Sequence, residues 1–259
     1  MVKIDLHERT EGLMRFPELG DQIHRSLEAQ ELEKQKEAMA NPPRLDRMSS
    51  SGRCYRDRWA TFRGIPMDAD KRFDGPILTV FRLGHAIEDE VVDLLTSHLD
   101  CKVHSQQLEL GEAPHYLGHI DGIIEWKKNP SDLGFTKSLL EIKSAKSSRW
   151  ELCERVGYRK FSENYYAQVQ AYLRYLPDEI STALVVVYDK DTSRLYFELI
   201  PEDSEYGDGL WHEHLIVMEE TETAPPRPPQ ATSKSCKFCK WCSRNSWCWN
   251  KANHVRFDP

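Results

Sequence analysis

Apolar residues recur at helical spacing through the first part of the chain. The segment 21–40 is rich in Glu, Gln, Lys, Leu and Ala and stops before two prolines, which predicts one or two amphipathic surface helices. The serine-rich segment 49–52 is expected to cap a second helix, whose apolar positions include Cys54, Tyr55, Trp59 and Phe62. A third helix is predicted over 77–99, with a buried stripe of Val80, Leu83, Ile87, Val91, Leu94 and Leu95.

After the third helix the apolar period changes from helical to alternating, which is typical of strands. Three strands are predicted, with turns near 111–112 and 129–132, over 102–110, 116–126 and 138–144. Helical spacing returns over 147–155 and 163–176, before two strands over 182–188 and 195–200 and a last helix. This order predicts a single mixed α/β domain.

Composition and charge narrow the class of protein. The chain has 259 residues, 39% of them hydrophobic, and a net charge of −7, which argues against binding nucleic acid through bulk positive charge but leaves room for a local basic channel. Its longest apolar run is the short segment 183–187, far below the roughly 18 residues of a membrane span. The charged N-terminus offers no secretion signal, so a cytoplasmic protein is expected.

Three regions are expected along the chain. Residues 1–50 form an N-terminal helical extension, and residues 51–223 form the core. Residues 224–259 begin with a proline-rich stretch, which should be stiff and extended because proline fixes φ, and continue into a cysteine-rich tail.

Charged residues interrupt two otherwise apolar strands. Asp121 lies in the first, and Glu141 and Lys143 lie in the second, two positions apart and so on one face, while Ile142 faces the core. Burying such charges is costly unless they pair with one another or with a cation. An acidic residue from each of two neighbouring strands, with a lysine beside them, predicts a site for a hard divalent cation near an anionic substrate. The alternative is a solvated sheet face with an incidental Glu–Lys pair.

Two helical features are weaker by themselves. Gln168 and Tyr172 are four apart and share one helix face, where they can hold a phosphate or orient a carboxylate. A half-buried tyrosine explains that spacing equally well. Glu88 lies four residues after Gly84 in an apolar helix, and its simpler interpretation is a solvated position.

Four of the seven cysteines lie close together near the C-terminus, which favours a metal site over disulfides in a reducing compartment. Four thiols fall within thirteen positions, and they can bind zinc tetrahedrally or hold an iron–sulfur cluster, between which the spacing does not choose. They are Cys236, Cys239, Cys242 and Cys248.

Taken together, these motifs resemble the PD-(D/E)XK nucleases of the RecB type. The resemblance rests on Gly84-x-x-x-Glu88, Gly118-His119-Ile120-Asp121-Gly122, Glu141-Ile142-Lys143 and Gln168-x-x-x-Tyr172, which follow in the family's order. Cys54 before the first motif and Cys239-x2-Cys242-x5-Cys248 at the end are similar to the iron–sulfur staple of AddB-type nuclease domains and CRISPR-associated RecB-like exonucleases. Many relatives carry histidine at the metal position of the first motif. This sequence has Glu88 there, and in this it resembles the phage lambda-type and YqaJ exonucleases.

The resemblance implies a restriction-endonuclease-like core, a central mixed sheet flanked by helices, that hydrolyses DNA as an exonuclease on ends or single strands. It implies Mg²⁺ or Mn²⁺ bound by Glu88, Asp121, Glu141 and the Ile142 carbonyl, with Lys143 on the attacking water and with Gln168 and Tyr172 positioning the substrate backbone. It implies a 4Fe-4S cluster on Cys54, Cys239, Cys242 and Cys248, with Cys236 as an alternate ligand and zinc as an alternative to the cluster. His85 is at most a neighbour of the ligands.

DNA is the expected partner, together with recombination or CRISPR-type proteins, and no membrane is expected. Basic and aromatic residues that follow the third motif are candidates for a single-strand channel: Lys146, Arg149, Trp150, Arg155, Arg159 and Lys160. A solvated helix face is the alternative for them. A structure-specific or precursor-trimming endonuclease, and a non-catalytic DNA-binding module with a zinc-stapled tail, remain alternative functions.

Overall fold

The computed structural model describes residues 17–112, 115–127, 136–219 and 224–250. Its helices are α1 (Pro17–Ala40), α2 (Tyr55–Phe62), α3 (Gly75–His98), α4 (Ser147–Val156), α5 (Tyr158–Phe161), α6 (Glu163–Leu173), α7 (Ser204–Met218) and α8 (Asn245–Trp249). Its strands are β1 (Asp46–Arg47), β2 (Cys101–His104), β3 (Glu109–Glu112), β4 (Tyr116–His119), β5 (Gly122–Trp126), β6 (Lys137–Ala145), β7 (Thr182–Asp189) and β8 (Leu195–Pro201). The mixed α/β class predicted from the order of elements is confirmed.

A five-stranded mixed sheet forms the centre, in the order β2-β5-β6-β7-β8. Strands β6 and β7 are parallel, and the other neighbours are antiparallel. A smaller sheet of order β1-β4-β3 lies beside it. The segment 1–50, predicted as a helical extension, therefore contains a short strand, because Asp46 and Arg47 pair with β4.

Strand β6 separates two hydrophobic clusters. Leu140 and Ile142 belong to the cluster that includes α3, whereas Leu139 belongs to the cluster built with α4 to α6. Each buried side chain of this size contributes about 1.5–3 kcal/mol. Because side chains alternate along a strand, Glu141 and Lys143 share the face of Leu139, while Ile142 packs in the core as predicted.

Two predicted strands are each broken in the structure. The segment 102–110 divides into β2 and β3 at Ser105 and Gln107, whose φ angles are 55° and 56°. The segment 116–126 divides into β4 and β5, which pair in different sheets, so Asp121 lies where the chain passes between them. Residues 111–112 belong to β3 rather than to a turn, and the turn predicted at 129–132 lies outside the described residues.

The buried stripe of α3 is shorter than predicted. Ile87, Val91 and Leu95 are buried, but Val80 and Leu83 are 44% and 47% exposed. The first turn of α3 lies against α1, where the Gly75 N–H donates to Glu28 at 2.7 Å. Only the second half of the helix packs on the sheet, which explains the difference. Cys54, not the serines of 49–52, is the N-cap of α2.

The tail 224–250 packs on α2 and the loop after it. The Tyr55 hydroxyl donates to the Pro226 carbonyl at 2.9 Å, and the Ser243 hydroxyl donates to Asp57 at 2.8 Å. The Asp68 N–H donates to the Ser243 carbonyl at 2.8 Å. Residues 224–228 form neither helix nor strand, as expected for a proline-rich stretch. Within the described ranges, every helix is too short or too polar to cross a membrane.

Candidate active site

Glu141 and Lys143 form a buried ion pair on β6. Glu141 is fully buried, and Lys143 Nζ contacts its Oε1 atom. The other carboxylate oxygen, Oε2, has no hydrogen-bond partner among the described residues. An unpaired buried carboxylate oxygen is costly, so this atom is where a further cationic group fits best.

Asp121 is fixed against the same strand. Its Oδ2 atom accepts a hydrogen bond from the Ile142 N–H at 2.7 Å. Burial and the nearby charge of Glu141 raise the pKa of Asp121 to about 8, against the opposing effect of Lys143. The Asp121 carboxylate, from the residue before β5, therefore lies near the Glu141 carboxylate of β6, with Lys143 beside both.

The cluster holds more carboxylates than cationic groups, since Lys143 lies near both Glu141 and Asp121. Burial raises the pKa of Glu141, although Lys143 opposes the shift. Burial would lower the pKa of Lys143, but Glu141 and Asp121 outweigh it and raise that pKa. Lys143 therefore keeps its proton, and the carboxylates gain a proton where no second cation compensates them.

Glu88 approaches the pair from α3. Its side chain is 26% exposed, and its Oε2 lies 3.3 Å from His85 Nδ1. Its charge contributes to raising the pKa values of Asp121 and Glu141, so the three carboxylates lie within electrostatic range of one another. In the part of the chain that the structure describes, no three His, Cys, Asp or Glu side chains already form a metal-binding group.

Gln168 and Tyr172 lie beneath this site and bond internally. The Gln168 amide donates to the Tyr172 hydroxyl at 3.0 Å, and that hydroxyl donates to the His119 carbonyl at 2.9 Å. Both side chains are buried. They tie α6 to the end of β4, two residues before Asp121, which is a positioning contact rather than a surface that DNA can reach.

Two tyrosines that the motifs did not indicate lie at the same site. The Tyr165 ring lies 5.4 Å from Lys143 Nζ. Tyr158 is fully buried, its hydroxyl has no hydrogen-bond partner among the described residues, and burial followed by the charge of Glu141 raises its pKa. The spacing of Tyr165 with Gln168 and Tyr172 on one helix face could have indicated it, whereas nothing in the sequence singles out Tyr158.

The candidate channel residues divide by exposure. Lys146, Arg149, Arg155, Arg159 and Lys160 are exposed. Arg149 donates to the Phe161 carbonyl at 2.8 Å, and Arg159 pairs with Asp203 at 3.4 Å. Trp150 is buried and donates to the Val187 carbonyl at 2.9 Å, so it is packed in the core and cannot stack on a base.

The cysteines of the tail meet Cys54. Cys54, Cys239, Cys242 and Cys248 line one cavity, whereas Cys236 lines a neighbouring groove. Burial raises the pKa of Cys239 to about 11 and that of Cys242 to about 12, so both thiols are protonated near neutral pH unless a cation compensates them. No disulfide joins any of the seven cysteines, all of which lie in described segments.

Comparison with known proteins assigns the chain to a family. The model of the YqaJ-like viral recombinase domain matches residues 31–175, which include Glu88, Asp121, Glu141, Lys143, Gln168 and Tyr172. No curated protein matches the sequence.

Solved structures offer distant likenesses. An alkaline exonuclease from Laribacter hongkongensis is 13% identical, with a TM-score of 0.47 over 71% of this chain and 91% of that one. The protein SSO0001 is 16% identical, with a TM-score of 0.49 over 88% of this chain and 96% of that one.

The family match supports one part of the predicted resemblance, the likeness to the YqaJ exonucleases. It gives no support to the iron–sulfur subfamily of AddB-type and CRISPR-associated nucleases, or to CRISPR-type partners.

Proposed function

This chain belongs to the family of YqaJ-like viral recombinase domains, and from that premise we propose that it is a divalent-metal-dependent DNA nuclease that degrades DNA from its ends. The observation that carries the proposal is the buried Glu141 carboxylate. One of its oxygens pairs with Lys143 and the other has no partner among the described residues. A structural ion pair would have both oxygens satisfied.

The residues present fit a hard cation. Carboxylate oxygens are the ligands that Mg²⁺ and Mn²⁺ prefer, and we propose that Glu141, Asp121, Glu88 and the Ile142 carbonyl hold one. When bound there, the cation would polarise the scissile phosphate and lower the pKa of a bound water. The pKa of Asp121, which burial and then the charge of Glu141 raise, would be lowered by a cation held there.

Lys143 then acts as a fixed positive charge. Because Glu141 and Asp121 raise its pKa, it is a poor acceptor for the proton of the attacking water. It is instead suited to orient that water and to offset the charge that develops on the phosphate. Tyr165 covers its ammonium group, and Gln168 and Tyr172 hold the strand end that precedes Asp121.

Cleavage of four DNA substrates tests the proposal. Linear and circular DNA, single- and double-stranded, are incubated with Mg²⁺ or Mn²⁺ and the wild type, Glu141→Ala, or Glu125→Ala, which removes a partly exposed carboxylate on β5. We expect degradation of linear DNA by the wild type and Glu125→Ala, and none by folded Glu141→Ala. Cleavage of circles would instead identify an endonuclease. DNA binding without any cleavage would favour a non-catalytic module.

We propose further that the tail is held by a metal centre on Cys54, Cys239, Cys242 and Cys248. The support is the shared cavity and the raised pKa values of Cys239 and Cys242, whose thiolates a bound cation would stabilise. Binding of metal by such a site contributes directly to folding. A 4Fe-4S cluster is the centre that the cysteine spacing resembles, and zinc is the alternative.

Metal analysis of protein purified without oxygen separates these centres. Iron with brown colour supports the cluster, and colourless protein with one equivalent of zinc supports the alternative. Cys248→Ala should lose the metal and melt at a lower temperature, while Cys236→Ala and the core variant Cys101→Ala keep it. Metal-free, fully stable wild type would end this part of the proposal.

A further inference from the structure

The tail carries a concentration of positive charge that the proposed nuclease chemistry does not use. Residues 224–250 contain three lysines and two arginines and no Asp or Glu, in a chain whose net charge is −7. The two arginines are engaged inside the fold: Arg244 contacts Asp57 at 3.1 Å, and Arg227 donates to the Cys248 carbonyl at 2.7 Å. The lysines, in contrast, are exposed: Lys234, Lys237 and Lys240.

An aromatic side chain stands among these lysines. Trp241 is 77% exposed, the largest exposure of the large hydrophobic side chains in the described segments. Lys240 Nζ lies 5.2 Å and Lys71 Nζ lies 5.9 Å from the centre of its ring. Phe238, three residues earlier, is 41% exposed. Exposing an indole to water gains nothing for folding, which suggests a ligand.

The surface borders a groove that reaches the start of α6. A groove of about 730 Å³ is lined by Lys237, Phe238 and Trp241 on one side and by Glu163 and Asn164 on the other. Glu163 and Asn164 begin α6, the helix whose next residue, Tyr165, covers Lys143. Asp57, also at this groove, pairs with Arg53 and Arg244, so its charge is compensated.

The adjoining groove is more acidic. Its volume is about 690 Å³, and it is lined by Arg53 and Arg159 and by four carboxylates: Glu163, Asp203, Glu205 and Glu213. Asp203 pairs with Arg159 and Glu213 pairs with Arg58, so two of these charges are compensated. The other two, Glu205 and Glu163 at the border of both grooves, would repel a phosphate backbone. The lysines and the exposed ring therefore mark the side of the molecule that a polyanion would follow.

We propose that Trp241, with Lys237 and Lys240, forms a docking surface for single-stranded DNA at the tail. An unpaired base would stack on the indole, and the ammonium groups would contact the flanking phosphates. Aromatic rings between basic side chains bind single strands without sequence preference. This inference rests on the proposed function, because the surface would lead a DNA strand toward Lys143. Its test needs no catalysis.

Binding without divalent cations tests the surface directly. The fluorescence anisotropy of a labelled oligothymidylate of about 15 nucleotides, a length within the range of such sites, is measured in EDTA. Trp241→Ala should weaken binding about tenfold, whereas Trp241→Phe should keep most of the affinity because phenylalanine also stacks. Phe197→Ala, which removes a 44% exposed ring on β8, is the matched control.

Salt dependence tests the lysines. Replacing Lys237 and Lys240 by glutamine should reduce the slope of log K against log salt by about 1.4, since each phosphate contact on a single strand contributes about 0.7. Lys34→Gln with Lys36→Gln on α1 makes the same change in net charge and should leave the slope unchanged.

Crosslinking locates the stacked base. An iododeoxyuridine placed in the oligonucleotide should label Trp241 on irradiation.

Several results would overturn this inference. One is equal binding by Trp241→Ala and Phe197→Ala, and another is an equal slope change in the α1 control. Binding of duplex DNA with the same dependence on Trp241, or no binding by the wild type, would also overturn it.

Cleavage assays are interpreted separately from binding. A protein that binds through Trp241 but cuts nothing would retain the surface and refute the nuclease. A nuclease that binds normally without Trp241 would refute the surface alone.

Discussion

Two clusters of buried charge, one on β6 and one between β1, α2 and α7, differ in how their polar atoms are paired. In the second cluster, Arg58 donates to both oxygens of Asp46 at 3.0 and 2.5 Å, and His214 Nδ1 lies 2.8 Å from the same carboxylate. Arg58 also donates to the Ser51 carbonyl and to Glu213, each at 3.2 Å. In the β6 cluster, Lys143 is the one ion-pair partner that Glu141 has within the described ranges, and its Oε2 atom is unpaired there.

The difference separates a structural cluster from a reactive one. Both carboxylate oxygens of Asp46 and the three guanidinium nitrogens of Arg58 are hydrogen-bonded, although His214 Nε2 has no partner among the described residues. The net effect of His214 and Arg58 lowers the pKa of Asp46 in spite of burial. Burial raises the pKa of Glu141 and outweighs its lysine. Buried charge by itself therefore does not indicate an active site, whereas a buried carboxylate oxygen without a partner does.

The strongest test of the comparison removes Lys143. Lys143→Met should lower nuclease activity by about 10³-fold, because a group that stabilises transition-state charge is lost. It should also cost about 3 kcal/mol of unfolding free energy, since Glu141 is left without its partner. The double variant Glu141→Gln with Lys143→Met should regain most of that stability and none of the activity. Urea unfolding and gel assays measure both. Recovered activity in the double variant would contradict the assignment.

Removing Arg58 should lower stability by a similar amount without lowering activity. Arg58→Met leaves Asp46 buried without its main partner, and the expected cost is about 3 kcal/mol in unfolding free energy. Activity per folded molecule should stay near that of the wild type. Lys36→Met is the control for an exposed ion pair: it removes the partner of Glu33 and should change stability by less than about 0.5 kcal/mol. An inactive but stable Arg58→Met protein would move this cluster into the active site.

The pH dependence of Asp46→Asn sharpens the comparison. We expect a loss of about 1.5–3 kcal/mol near pH 7, because hydrogen bonds to a charged group are lost. The folded pKa of Asp46 is lowered, so its contribution is complete above the unfolded pKa of about 3.9 and disappears as the pH falls through the folded pKa. The stability difference between wild type and variant should therefore shrink below about pH 4. A constant difference down to pH 2 would contradict this.

Gly84→Ala should have a small, stabilising effect. A Cβ at Gly84 meets nothing within 4 Å, so its place in the first motif has no steric reason within the described residues. In a helix interior, alanine should raise stability by about 0.5–1 kcal/mol. Unchanged cleavage is expected if the glycine faces open solvent. A large loss of DNA binding with intact stability would show that the backbone here must approach the substrate.

The sequence predicts the framework better than the details of the site. The alternation along β6 places Glu141, Ile142 and Lys143 on their faces, because side-chain period follows directly from strand geometry. Periodicity could not show that Asp121 lies between two sheets, since the strands on either side have one continuous pattern. It also could not show which face of α4 is buried, so Trp150 was misassigned to the DNA channel. The partners Asp46 and His214 are 168 residues apart, and only the fold brings them together.

The bond from the Ile142 N–H to Asp121 has a practical consequence. The backbone ladder between β5 and β6 ends at the pair Gly122–Leu140, and the Asp121 side chain supplies the next rung. Alanine at 121 would leave a main-chain donor unsatisfied, at a cost of about 1–3 kcal/mol. Asparagine keeps an acceptor of the same length without the charge. Asp121→Asn is therefore the variant with which to trap an uncut DNA complex for crystallography.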